Sequence, residues 1–133
     1  MATILKFEEL EIWRLARDLS QEIFNLYTLS ELFTRDYRLK DQMNGSAGSI
    51  MDNIAEGFER SGKGEFINFL SYSKGSAGEL KSQLYRAFDR KYINQNQFNN
   101  LYQKTDQIGR KIGAFINYLK STEIKGSKFK NRI

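Results

Sequence analysis

The sequence predicts an all-α protein, folded as an antiparallel up-down-up-down four-helix bundle. Among its 133 residues there is no proline, which breaks helices, and no valine, which favours strands. Apolar residues recur every three or four positions in four long segments, as they do on the buried side of amphipathic helices. Four such helices joined by short turns pack most simply as antiparallel neighbours. A three-helix core that lends its fourth helix to a partner is the alternative.

The first two predicted helices are separated by a break between residues 29 and 35. Helix one runs from about residue 7 to residue 29, and its acidic first turn suits the positive end of the helix dipole. Ser30 or Thr34 could cap the next helix. Helix two then runs from about residue 35 to residue 58.

A glycine-containing turn precedes the third predicted helix. Gly62 and Gly64 tolerate the left-handed backbone that ends one helix and starts another. The third helix should end near residues 91–93. Asn94 is then the expected cap of the fourth helix.

Cysteine and histidine, which serve much enzyme chemistry, are both absent from the sequence. Thiolate nucleophiles, imidazole bases and most metal ligands are therefore missing, so we expect no catalytic residue, no metal and no cofactor. No apolar run is long enough to cross a bilayer. The opening segment MATILKFEELEIW lacks the apolar stretch of a secretory signal. We therefore expect a cytoplasmic protein that does not enter a membrane.

The segment GSAG occurs twice, at residues 45–48 and at residues 75–78. A phosphate-binding loop would follow a strand, and neither copy does, so a structural role is favoured. The two copies are placed symmetrically about the predicted turn and should lie opposite each other in a helical hairpin. Because a glycine inside a helix costs about 1 kcal/mol relative to alanine, we expect these glycines to let two helices approach closely. The alternative is that the small residues face another subunit.

Two carboxylates invite comparison with metal or acid–base sites. Glu56 and Glu79 belong to neighbouring predicted helices, and helical bundles hold di-metal sites between facing helices. Those sites also use histidine, which this chain lacks, so a structural role is favoured. In that role Asn53 and Glu56 bind the adjacent turn, and Glu56 pairs with Arg60 four residues later.

Several short motifs together carry a family resemblance. They are Phe7-x-x-Leu10-x-x-Trp13, Gln42, Ser49-Ile50-x-x-Asn53-Ile54-Ala55-Glu56-Gly57-x-x-Arg60, Glu65-Phe66-x-x-Phe69-Leu70 and Gly75-Ser76-Ala77-x-Glu79-Leu80. In this order they resemble the 23S rRNA intervening-sequence proteins, small bacterial four-helix bundles also described as ribosomal-protein-like. The resemblance spans residues 7–119 and implies a homo-oligomer, commonly a pentamer, with no settled activity. The family-motif or structural residues are Asn53, Glu56, Gly57, Arg60, Gly75, Ser76 and Glu79.

The charge distribution favours a polyanionic partner. The formal net charge is +5, and residues 120–133 hold five basic residues against one acidic residue. We therefore divide the chain into a bundle at residues 1–119 and a basic, flexible tail at residues 120–133. The candidate nucleic-acid-binding residues are Arg86, Arg90, Lys91, Lys104, Arg110, Lys111, Lys125, Lys128, Lys130 and Arg132.

These cations have two interpretations. They are either ordinary solvated faces, with Arg110 paired to Asp106 four residues earlier, or a phosphate-binding surface on which Phe129 stacks against a base. The leading hypothesis is a non-catalytic homo-oligomer that binds RNA, with rRNA as the first candidate. The alternative is a structural scaffold that docks another protein and has no nucleic-acid role.

Overall fold

The structure, a computed structural model, describes residues 3–122 and is all-helical over that range. A short 3-10 helix at Phe7–Glu9 precedes five α-helices. They are α1 (Glu11–Leu26), α2 (Glu31–Arg35), α3 (Tyr37–Glu59), α4 (Lys63–Asp89) and α5 (Gln95–Ser121). No strand occurs between residues 3 and 122, and the predicted all-α class is confirmed. The predictions for Lys125, Lys128, Phe129, Lys130 and Arg132 fall outside the described residues. Of the tail predicted at residues 120–133 the structure describes residues 120–122, and the first two of these belong to α5.

The break after the first helix contains a short helix, α2, that periodicity did not predict. Ser30 caps this short helix, since its Oγ accepts a hydrogen bond of 3.2 Å from the Phe33 amide. The prediction that Ser30 or Thr34 caps the second long helix is wrong, because Asp36 caps it. Phe33 is fully buried and stacks on Tyr92, with 5.0 Å between the ring centroids. Thr34, the other predicted cap, instead donates its hydroxyl to the Tyr27 carbonyl. A buried aromatic anchor therefore holds this segment.

Asp36 begins α3 and also joins it to the end of α4. Its carboxylate accepts hydrogen bonds from the Leu39 amide at 3.2 Å and from Arg90 Nη1 and the Tyr92 hydroxyl at 2.8 Å each. The Tyr92 bond, followed by the Leu39 and Arg90 bonds, holds the pKa of the Asp36 carboxyl below its usual range. Just after the end of α4, Lys91 adopts a left-handed backbone conformation, with a φ of 63°.

The two remaining long helices begin where the sequence indicates. Gly62 precedes the first residue of α4, which confirms the position of the predicted turn. The predicted left-handed backbone is wrong, because Gly62 is extended, with φ −100° and ψ 141°, and Gly64 lies inside α4. At α5, Asn94 Oδ1 accepts from the Gln97 amide at 2.8 Å, and Gln97 Oε1 accepts from the Asn94 amide at 2.7 Å. This reciprocal capping box confirms the predicted cap.

The long helices surround one apolar core. α3 packs against α1 and α4, and α5 packs against α4 and α1. Each large side chain buried in such a core contributes roughly 1.5–3 kcal/mol to folding. The fully buried aliphatic and aromatic residues of the four long helices include Ile23, Leu39, Met43, Ile50, Ile54, Phe66, Leu70, Leu80, Leu84, Ile112 and Leu119. Within residues 3–122, none of the helices combines the length and the apolar character needed to cross a membrane.

Candidate functional site

In both GSAG segments the serine and alanine are buried, whereas the glycines meet no neighbour. Ser46 and Ala47 are 6% and 1% exposed in the first segment, and Ser76 and Ala77 are 9% and 2% exposed in the second. Apart from the two chain neighbours and the backbone of its own helix, a Cβ added at any of the four glycines would have no atom within 4 Å. The predicted close approach of two helices at these glycines is therefore wrong, because it is the serines and alanines that face the neighbouring helix.

Serine hydroxyls join α3 to α4 at this level. Ser76 Oγ bonds to Ser49 Oγ at 2.9 Å, and the buried Ser73 Oγ donates to the Ile50 carbonyl at 2.7 Å. The second GSAG segment thus lies beside the end of the first, as the symmetric placement about the turn predicted.

At Gly57, a close contact between α3 and α4 leaves no room for a side chain. A Cβ there would lie 2.7 Å from Phe69 Cβ and 3.0 Å from Phe66 Cδ1. Separations this short are not tolerated in packed proteins without displacement of the neighbour. The end of α3 can therefore pack on the start of α4 only with glycine at this position.

The family-motif residues Asn53, Glu56 and Arg60 make polar contacts near the end of α3. Asn53 Nδ2 donates to the carbonyl and hydroxyl oxygens of Ser49 at 2.9 and 2.8 Å. Glu56 pairs with Arg60 at 2.9 Å, and Arg60 also reaches Glu65 at 3.4 Å. The Glu56–Arg60 pair confirms the predicted contact, whereas Asn53 bonds Ser49 one helical turn earlier and not the turn that follows α3. In the described part of the chain, no group of three acidic, histidine or cysteine side chains is placed to hold a metal ion.

A polar groove of about 450 Å³ lies between α3 and α4 on their outer side. The residues that line it, here called the α3–α4 groove, are Asp41, Gln42, Gly45, Ser46, Ser49, Glu79, Ser82, Gln83 and Arg86. Exposed Gly75 shares one side of α4 with Glu79, Ser82 and Arg86, because these positions are separated by three or four residues. The groove together with Gly75 is called the α3–α4 face.

Gln83, one of the residues that line this groove, carries a buried polar atom without a partner in the described part of the chain. Its side chain is only 8% exposed, and its Oε1 has no hydrogen-bond partner among residues 3–122. Leaving such a group unpaired costs about 1–3 kcal/mol. Sequence analysis missed Gln83, although a signal was present: it occupies a position in the apolar stripe of α4 between Leu80 and Ala87.

Two of the candidate nucleic-acid-binding cations form ion pairs that link α5 to α1. Lys104 Nζ lies 2.8 Å from Glu22 Oε1, and Lys111 Nζ lies 3.3 Å from Glu11 Oε1. Both cations are therefore paired with acids from a distant part of the sequence.

A second group lies at the junction of α4 and α5. Arg110 pairs with Asp106, as the spacing predicted, and Lys81 Nζ reaches the same carboxylate at 2.9 Å. The hydrogen bond from Lys81, then that from Arg110, lowers the pKa of Asp106, and the Asp106 bond raises the pKa of Lys81.

The remaining candidates lie near the end of α4. Arg90 pairs with Asp36 at 2.8 Å, and Arg86 Nη1 donates to Gln42 Oε1 at 2.9 Å. Lys91 is exposed. The six candidate cations of the described range thus lie at three separate places on the molecule, and four of them are paired with acids.

Comparison with known proteins places this fold in a known group. A family model described as 23S rRNA-intervening sequence protein matches residues 8–114. The crystal structure of a protein of unknown function from the S23 ribosomal protein family of Bacteroides thetaiotaomicron VPI-5482 is similar, with a TM-score of 0.74 and 22% sequence identity. The similarity covers 79% of this chain and 97% of that chain, and it shows a shared fold. No curated protein matches the chain significantly.

Proposed function

The chain belongs to the 23S rRNA-intervening sequence protein family, and from that premise we propose that it is a non-catalytic homo-oligomer whose copies associate through the α3–α4 face. The open space around the GSAG glycines carries this proposal. Each glycine inside a helix costs about 1 kcal/mol relative to alanine, and no close contact within one copy offsets that cost. Because Gly45 and Gly75 have no side chain, the backbone of a second copy would pack closely against them.

The proposed oligomer is built from antiparallel up-down-up-down four-helix bundles. The ion pairs between α1 and α5 support this arrangement, because the later cation, Lys111, pairs with the earlier acid, Glu11, and Lys104 pairs with Glu22. The serine hydrogen bonds between α3 and α4 follow the same reversed order. Short connections between successive long helices favour the same topology.

The proposed role is non-catalytic because the sequence offers few of the side chains that enzymes use for catalysis. Cysteine and histidine are absent from the whole sequence. Glu56, one member of the carboxylate pair considered above, is bound to Arg60 at 2.9 Å. A protein with these properties acts more naturally by binding other macromolecules than by transforming a substrate.

Sedimentation velocity over a concentration series tests the proposed contact, using wild type, Gly75→Leu and a matched control. The control is Gln103→Leu, at an exposed position on α5. In a single copy, a Cβ at position 75 meets nothing within 4 Å outside its own helix and its chain neighbours, so Gly75→Leu should not destabilise the monomer and should lose only the contribution of association to Tm. We expect wild type and the control to form the same oligomer and Gly75→Leu to sediment as a monomer. A wild type that stays monomeric throughout the series would contradict the proposal.

RNA binding is a second candidate function, favoured by the concentration of positive charge near the C-terminus. Residues 120–133 hold five basic residues and one acidic residue. Since four of the six candidate cations in the described range are paired with acids, the proposed phosphate contacts are chiefly those that follow Thr122 in the sequence. They are Lys125, Lys128, Lys130 and Arg132.

Fluorescence anisotropy with a structured RNA tests this second function at several salt concentrations. The full chain is compared with a truncation after Thr122, which keeps every described residue. Each lost phosphate contact lowers the slope of log K against log salt by roughly 0.7–0.9, so removal of four cations should lower it by about 3. Binding by the full chain no tighter than about 10⁻⁴ M at physiological salt would exclude RNA as a partner.

A further inference from the structure

The α3–α4 groove contains a buried acceptor that has no donor within one copy. Gln83 is 8% exposed, and its Oε1 is the single buried side-chain polar atom without a hydrogen bond in the described range. Buried carbonyl oxygens in folded proteins nearly always find a partner, because an unpaired one is destabilising. A group that enters the groove and meets Oε1 on rotation of the Gln83 side chain would therefore be favoured if it carries a hydrogen-bond donor.

The charged residues around Gln83 specify the charge of that donor. Asp41 and Glu79 line the same groove, and both are exposed carboxylates. Arg86 is the cation in the lining, and its Nη1 already donates to Gln42 Oε1 at 2.9 Å. With two carboxylates and one arginine that is already hydrogen-bonded, the groove lining has a net negative charge. An entering cation is favoured over an anion or a neutral group.

We propose that the α3–α4 groove binds a cationic side chain, a guanidinium or an ammonium group, from a second copy of this chain. The proposal rests on the self-association through the α3–α4 face proposed above. Guanidinium has five N–H donors, ammonium has three, and neither has an acceptor, so both match the oxygen of Gln83 and the two carboxylates. A second copy supplies such groups in excess, since the chain has 21 basic and 16 acidic residues. A volume of about 450 Å³ admits a long side chain.

Two substitutions remove acceptors from the groove without removing a bond within one copy. Gln83→Met keeps a flexible side chain of similar size and deletes the unpaired oxygen, so the monomer should be as stable as wild type or more stable. Glu79→Gln deletes an exposed charge. The matched control, Glu59→Gln, changes an exposed carboxylate at the end of α3, outside the groove lining.

The measurement is the dissociation constant of self-association, obtained by sedimentation at low and high NaCl, together with the Tm of each variant. We expect Gln83→Met and Glu79→Gln each to weaken association by at least about tenfold, because hydrogen bonds to charged groups exceed the roughly 1.4 kcal/mol that tenfold represents. Glu79→Gln should also reduce the salt dependence. The control should change the constant by less than about twofold.

The outcomes separate this inference from the proposed subunit contact. If Gly75→Leu separates the copies while both groove variants associate as wild type does, the groove holds no cation and the inference is overturned alone. If wild type never associates, the subunit contact and the inference fail together. In the Gly75→Leu background, where copies do not associate, a Tm lower with Gln83→Met than without it would show that Gln83 already has a stabilising role within one copy, which also overturns the inference.

Discussion

Asp36 illustrates how one side chain can hold together elements that are far apart in sequence. It caps α3 through the Leu39 amide and accepts bonds from Arg90 and Tyr92 beyond the end of α4. The pKa of its carboxyl is lowered by these bonds. A carboxyl with a lowered folded-state pKa stabilises the fold above its unfolded pKa of about 4, and this contribution disappears as the pH falls through the lower folded value.

Asp36→Asn should therefore destabilise the protein at pH 7 and do so less at pH 3. Asparagine keeps the capping oxygen but loses the charge, whereas Asp36→Ala also loses the cap, at a further cost of about 1 kcal/mol. The measurement is urea unfolding at both pH values. Asp52→Asn, on an exposed position of α3, is the control. An equal loss of stability at pH 7 and pH 3 would show that the Asp36 charge is unimportant.

At the scale of single elements, α3 carries two kinds of glycine. Gly57 faces Phe69 with no room for a Cβ, whereas Gly45 has open space around it. We expect Gly57→Ala to lower the free energy of unfolding by about 1–3 kcal/mol through overpacking. Gly45→Ala should raise it by up to about 1 kcal/mol through helix propensity.

Urea unfolding of both variants in the Gly75→Leu background measures these effects without a contribution from self-association. Opposite signs are the expected result. Destabilisation by both substitutions would mean that Gly45 also has a packing role within a single copy, and it would remove the argument for an open α3–α4 face.

The boundaries of the elements could be predicted where the signal is local. Asn94 with Gln97, and the glycine turn before α4, use contacts between residues close in sequence. The short helix α2 could not be predicted, because Phe33 is held by Tyr92, which lies far away in the chain. Helical periodicity identifies which side of α4 is buried, but it does not reveal that Gln83 on that side lacks a partner.

The candidate site shows the same limit. Sequence proximity grouped the cations of α4 and α5, and the pairing of Arg110 with Asp106 was predictable from their spacing. The acids that neutralise Lys104 and Lys111 are on α1, so their role becomes visible only when the helices are packed. The GSAG motif is also obvious in the sequence, but the sequence does not reveal which of its residues face the neighbouring helix.

At the scale of the whole molecule, the two proposed surfaces are separate in the chain. The α3–α4 face is polar and has a negative balance in its groove, while the basic residues near the C-terminus follow α5. One assembly could therefore present several copies of the basic segment to a single RNA. Linked sites of this kind bind more tightly than single sites because later contacts are intramolecular.

Gly75→Leu should accordingly weaken RNA binding without removing any cation. We expect a lower apparent affinity for a long structured RNA, and little change for an RNA too short to contact two copies. Fluorescence anisotropy with the two RNAs distinguishes these effects. Equal affinities of wild type and Gly75→Leu for the long RNA would show that assembly does not contribute to binding.

The most direct test of the central claim is the accessibility of the α3–α4 face in the assembled protein. The chain has no cysteine, so Ser82→Cys, a nearly isosteric change at an exposed position of the α3–α4 groove, provides a single thiol, and Gln103→Cys provides the control on α5. The measurement is the rate of thiol alkylation at protein concentrations below and above association. We predict that alkylation of Ser82→Cys slows as copies associate while that of Gln103→Cys does not. Unchanged alkylation of Ser82→Cys in a protein that sediments as an oligomer would contradict the claim.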